Sequence, residues 1–230
     1  MPPQPEYADF ISRFFRILFA PDDVVVLSRL TPSENGPMLS NKPYSREYAI
    51  LALLNLHLDT PNIYFQASAH DGTDAYGKSN CVRTQAFYLD LDYGAAGHSG
   101  KNAFRSLDDA VGYLLTMPLR PSCAWHTGHG VQACYLLDKP YQFLPGGGDA
   151  LSLARYEAVS SKLSKMSMSD DTFTAEHLFR VPLSINDKRW KDKALIPVRG
   201  ELLWCDEDRR YAFEALEELV DGYGIDEHIK

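Results

Sequence analysis

Residues 86–94 read Ala-Phe-Tyr-Leu-Asp-Leu-Asp-Tyr-Gly, an apolar run that ends in two carboxylates one residue apart. Side chains alternate along a strand, so Phe87, Leu89 and Leu91 share one face, and Asp90 and Asp92 share the other. The apolar face points to a core. Two anions on one face repel each other, and stability alone gives no reason to pair them there. A divalent cation is the simplest partner, because carboxylate oxygens suit Mg²⁺ or Mn²⁺. A strand end emerging into solvent would also turn polar, so the stretch by itself leaves both readings open.

The flanking pattern alternates helices and strands. Tyr7, Phe10, Ile11, Phe14, Phe15 and Leu18 recur at helical spacing and predict a helix over 6–20, stopped by Pro21. Residues 24–27, Val-Val-Val-Leu, predict a strand, followed by a Pro/Ser/Asn/Gly-rich loop to about Pro43. Ser45 caps a second helix, with apolar residues from Tyr48 to Leu58. A strand at 63–65, a polar loop at 70–80 and the two-carboxylate strand come next. A flexible loop over 94–100 leads to a helix starting at Ser106. Residues 123–126 and 131–137 predict a hairpin turning through Thr127-Gly128-His129-Gly130. A loop over 140–148, a helix over 151–166, a strand at 202–204 and a charged helix over 206–220 complete the chain, with a polar, frayed tail to Lys230. Hairpins among alternating elements indicate an α+β fold with a mostly antiparallel sheet.

The length and the 45% hydrophobic content suffice for one sizeable core, with a division expected between residues 1–205 and a C-terminal helix and tail over 206–230. No run is long enough to span a membrane, and the start lacks the basic and apolar parts of a signal peptide, so a cytoplasmic protein is expected. Cys81, Cys123, Cys134 and Cys205 form no C-x-x-C pair. That favours reduced, buried thiols and argues against a structural zinc site. The formal net charge of −8 argues against indiscriminate nucleic-acid coating, though not against an enzyme with local basic residues.

Three stretches fall in a telling order: residues 88–94 with the carboxylates, the hairpin over 125–137, and residues 178–188, Leu-Phe-Arg-Val-Pro-Leu-Ser-Ile-Asn-Asp-Lys, shortly after Asp170-Asp171. Together they resemble the archaeo-eukaryotic primase superfamily, in particular the primase-polymerase domains of plasmids and phages. That family carries D-x-D or D-x-E on a strand, S-G-x-G-h-H-h-Y-W on a hairpin, and an acidic residue before R-h-P-G-T-x-N-x-K. The resemblance covers roughly residues 10–200, with the 62–65 segment and the Gly77-Lys78 loop also in keeping.

The resemblance implies an RRM-like, mostly antiparallel sheet with an N-terminal αβ unit packed against it. It implies template-directed nucleotidyl transfer on single-stranded DNA with nucleoside triphosphates and Mg²⁺ or Mn²⁺, in a mobile element, with a replicative helicase as a further candidate partner. Asp90, Asp92 and Asp171 (or its neighbour Asp170) would hold metal. Lys78, Arg83, Thr127, His129, Gln132, Arg180 and Lys188 would meet nucleotide or phosphate. Two departures stand out. Gln132 occupies the place of the family's hairpin histidine, and Pro182-Leu183-Ser184 that of its P-G-T. A catalytically inactive member that binds DNA or a replisome partner is the rival from another class. A nuclease or another nucleotidyltransferase is the rival within metal catalysis.

Overall fold

The computed structural model describes residues 5–33, 37–57, 60–94, 104–143, 150–189 and 191–223. Residues 95–100 and 144–148 of the two expected loops, Leu58 at the end of the second helix, the first four residues and the tail from 224 lie outside them. In chain order the elements are α1 (Pro5–Leu18), β1 (Val24–Thr31), β2 (Met38–Ser45), α2 (Arg46–Ala52), β3 (Ile63–Gln66), β4 (Ala69–His70), β5 (Cys81–Asp92), α3 (Leu107–Thr116), β6 (Cys123–His126), β7 (Gly130–Gln142), α4 (Ala150–Met166), β8 (Leu178–Arg180), β9 (Ile185–Asn186), β10 (Val198–Arg199), β11 (Glu201–Cys205), β12 (Arg210–Tyr211) and α5 (Phe213–Gly222). The fold is mixed α+β around one large, mostly antiparallel sheet, as expected. β12 joins it in parallel to β7.

Three expectations are corrected. The Pro- and Ser-rich segment expected as a loop up to Pro43 contains β2, which pairs with all of β1 from Val24↔Ser45 to Thr31↔Met38. Its composition is that of an edge strand, where a proline is tolerated because its missing N–H faces away from the ladder. The C-terminal helix begins at Phe213 rather than 206, because Arg210 and Tyr211 first add to the sheet beside Leu136 and Leu137. Cys123 and Cys205 face each other across the β6–β11 ladder and form a disulfide, so among the described residues only Cys81 and Cys134 are free thiols, both buried. Strand register, invisible in the cysteine spacing, brings the pair together.

The sheet runs β11-β6-β7-β5-β4-β1-β3-β8. It curls so far that its end strand β8 reaches β6, one strand in from the other end: Trp125 Nε1 on β6 donates to the carbonyl of Arg180 on β8 at 3.2 Å. Inside the curl lies an aromatic core closed by α1. Phe14 sets its ring edge-on to Trp125 and Phe65, and Tyr88 stacks on Phe179 at 4.6 Å. The outer face of β5 carries Phe87, Leu89 and Leu91 into a second core with α3, α4 and α5. In it Phe213 lies 4.1 Å from the Tyr141 ring. β5 is therefore core on both faces up to Leu89, and Asp90 is the first side chain that leaves it.

Phe65 is fully buried and meets Phe14, Phe15, Tyr88 and Phe179, rings from three elements besides its own. Phe65→Ala should lower unfolding free energy by about 3–5 kcal/mol, read as a shift in urea midpoint at unchanged slope.

Candidate active site

Asp90 and Asp92 project from the end of β5 on the face that looks into the curl. Asp90 pairs with Gln132 and Asp92 with Gly130 on β7. Burial, and then the charge of Asp92, push the Asp90 carboxyl up to about 7; a hydrogen bond from Gln132 opposes this, Asp170 adds to it and Lys188 opposes it. Two acids held this close, one of them desolvated, form a site that favours a cation.

The loop after α4 docks on the same strand end. The Asp90 N–H donates to Ser169 Oγ at 2.8 Å, and the Asp170 N–H donates to the Asp90 carbonyl at 2.9 Å. This fastens Asp170, rather than Asp171, to the backbone of Asp90. Asp170 is the residue whose charge is felt there.

The hairpin turn is tied by its own residues. Thr127 N–H and Oγ1–H both donate to the Gly130 carbonyl, so Thr127 serves the turn. A side chain on Gly130 would place its Cβ 2.8 Å from Asp92 Oδ1, so only glycine lets the carboxylate lie against the hairpin. The Nε2 of His129 is buried with no hydrogen-bond partner. Burial, then Lys188 and Arg180, lower the pKa of His129, while Asp92 raises it. Gln132 is buried. Its Nε2 donates to Asp90 Oδ2 at 2.9 Å, and its Oε1 accepts from Trp125 Nε1 at 3.2 Å and from the Arg180 N–H at 2.9 Å.

Arg180 is buried and heavily bonded. Its guanidinium donates to Tyr64 Oη (2.6 Å), Asn186 Oδ1 (3.0 Å), the Ile185 carbonyl (3.1 Å) and Asn62 Oδ1 (3.3 Å), and it lies over the Tyr64 ring. Asn62 also accepts from the Asp187 N–H and donates to the Asp187 carbonyl, fixing the segment that leads to Lys188. Burial lowers the pKa of Lys188, while Asp92 and Asp90 pull it back up, so the ammonium sits in their field. Arg180, Lys188 and Lys191 form the basic side of a cavity of about 370 Å³, with Leu30, Leu39, Tyr64 and Leu178 among its other walls.

The structure thus gathers Asp90, Asp92, Gln132, His129, Arg180 and Lys188, with Asp170 beside them. It does not bring in Lys78 or Arg83. Lys78 bonds Glu157 of α4 at 2.7 Å. Arg83 stands seven residues before Asp90, about 23 Å back along the strand at ~3.3 Å per residue, and forms a buried ion pair with Asp23. Both cations satisfy acids in the scaffold. Sequence reading gave no role to Ser169, Tyr64, Asn62 or Asn186. Asn62 has φ 60° while buried, a strain that only coordinates display.

The fold, a curled and mostly antiparallel sheet, is similar to that of solved primase and primase-polymerase domains. Among solved structures, the chain matches the AEP domain of the cyanophage S-2L primase-polymerase over 92% of its length and 97% of that domain, with TM-score 0.63 and 10% identity. It matches primase RepB′ over 94% of this chain and 62% of that one (TM-score 0.53, 12% identity). It also matches the RepB′ catalytic domain in complex with initiator DNA, over 94% and 93% (TM-score 0.51, 12% identity). No family model and no curated protein matches the sequence. At such identities the likeness is one of fold.

Because Arg83 neutralises a buried acid, Arg83→Ala should cost about 3–5 kcal/mol of stability and leave nucleotide affinity of the folded fraction unchanged. Urea unfolding and nucleotide titration of the same sample check both halves.

Proposed function

We propose that the chain is a template-directed nucleotidyltransferase, a primase or primase-polymerase of a mobile element, that copies single-stranded DNA with nucleoside triphosphates. The observation that carries this reading is a pair of same-face carboxylates whose charges act on Lys188, which with Arg180 and Lys191 forms the basic side of a cavity. The likeness to primase folds, one of them solved with initiator DNA, supports it.

The donor set fits Mg²⁺ or Mn²⁺. Among the described residues no three His, Cys, Asp or Glu side chains form a ready cage. Mg²⁺ is typically held by one or two carboxylates together with substrate phosphates. Asp90 and Asp92 would hold the ions, with Asp170 ahead of Asp171 as the third acid. Such ions lower the pKa of a primer 3′-hydroxyl and stabilise the charge of the departing pyrophosphate.

The chain's own groups supply the rest. Lys188, facing both carboxylates, brings positive charge to where phosphates must approach two anions. His129 Nε2, buried and unpartnered, is a polar atom waiting for one more contact. Leu30, Leu39 and Leu178 offer an apolar wall to a base or sugar. With a net charge of −8, DNA binding would rest on this local basic surface rather than on overall attraction. A replicative helicase is the further partner this reading allows.

Gln132 in place of the family's histidine favours a second reading, a DNA-binding member without catalysis. One experiment separates the two: primer synthesis on single-stranded templates with labelled nucleotides and Mn²⁺ or Mg²⁺. Asp90→Ala with Asp92→Ala should lower product by at least ~10³-fold, the scale of losing an electrostatic stabiliser of the transition state. Asp170→Asn should lose more activity than Asp171→Asn. Equal product from wild type and the double variant sinks the site; no product from wild type, with DNA binding intact, establishes the binding module.

A further inference from the structure

Asp90, Gln132 and Trp125 form a row across β5, β7 and β6, each directly opposite the next. Gln132 is 4% exposed, and both ends of its amide are committed. The oxygen accepts from two N–H groups, those of Trp125 and Arg180. Neither donor can become an acceptor. Turning the amide over would set its NH₂ against both N–H groups and its oxygen against the Asp90 carboxylate. The side chain therefore has one orientation, with the NH₂ on Asp90 Oδ2.

We propose that Gln132 is a positioning residue for the metal-binding carboxylate rather than a phosphate contact. It commits Oδ2 of Asp90, leaves the other oxygen for the cation, and ties that carboxylate to the backbone of the Arg180 segment. The departure from the family's histidine is then a change of role. A residue that reaches the metal only through its ligand tunes affinity and geometry. This inference rests on the nucleotidyl-transfer reading for its cation, while the Gln132–Asp90 pair itself can be tested without one.

The test uses the full chain. In Q132M, which keeps length and removes both amide functions, Mn²⁺ affinity followed by electron paramagnetic resonance should fall about 10–100-fold. Nucleotide KM at saturating Mn²⁺ should stay at the wild-type value. Q132H, whose imidazole offers one donor and one acceptor, should recover much of the Mn²⁺ affinity. Unchanged Mn²⁺ affinity with a raised nucleotide KM would overturn the proposal and restore a phosphate contact. In the metal-free chain, the Gln132 side-chain amide resonances should move on Asp90→Asn; resonances that stay in place also overturn it, whether or not Q132M folds. If wild-type Mn²⁺ binding is absent, or is indifferent to Asp90→Asn, the nucleotidyl-transfer reading fails, and the amide resonances still decide the pairing.

Discussion

The Trp125 indole and the Gln132 amide of one hairpin share hydrogen bonds with the Arg180 backbone, far along the chain, where β8 meets β6 and β7. Buried polar groups are costly unless satisfied, and a fully satisfied network fixes one arrangement among many. Here the network locks the curl. If β8 were displaced from β6 and β7, the Arg180 N–H and carbonyl would lose these partners at once, and the Trp125 N–H would keep only Gln132 Oε1. Asp90 is attached to the same network through the remaining end of the amide, so the closure of the fold and the placement of the carboxylate are one problem with one solution. The aromatic packing around Phe14, Phe65 and Phe179 supplies driving force without direction; the polar knot supplies direction.

A second knot lies one strand further on. The Arg180 guanidinium is held by four oxygen acceptors, none of them a carboxylate. Its charge is therefore solvated by the protein but not cancelled. It adds to the positive wall of the cavity, and its field reaches Lys188 and His129. Asn62 ties it to the segment that carries Lys188. The charges of Asp90 and Asp92 act on Lys188, which lies on a neighbouring segment. On the proposed reading, a charged substrate would meet a surface whose charges are already oriented, which costs no reorganisation on binding.

Much of this was legible in the sequence because it rests on local pattern. Period-2 alternation placed Asp90 and Asp92 on one face, helical spacing found α1, and Ser106 does cap α3, accepting from the Asp109 N–H. What was hidden depends on register and long-range pairing. β2 is an edge strand, and β1 specifies its pairing more than its own residues do. Lys78 and Arg83 had the right charge near a motif, but strand geometry carries them to the far end of β5, where Glu157 and Asp23 take them. Asp170 and Asp171 are neighbours in sequence. Only the docking of Ser169 and Asp170 on the Asp90 backbone distinguishes them, and that contact spans 79 residues.

Leu183 and Gly130 separate two constraints that can call for a glycine. Leu183 has φ 65°, the left-handed conformation a glycine would take without strain. That conformation costs an L-residue about 1–2 kcal/mol. The leucine side chain is buried in the core inside the curl, which returns about 1.5–3 kcal/mol. Strain can be offset when there is room for a side chain to pack. At Gly130 there is no such exchange, because the obstacle is the Asp92 carboxylate rather than a dihedral angle. Any side chain there must push aside a group the proposed chemistry needs. The hairpin glycine is thus held by space, while at Leu183 the constraint is only an angle, and the strain of an angle is what packing can offset.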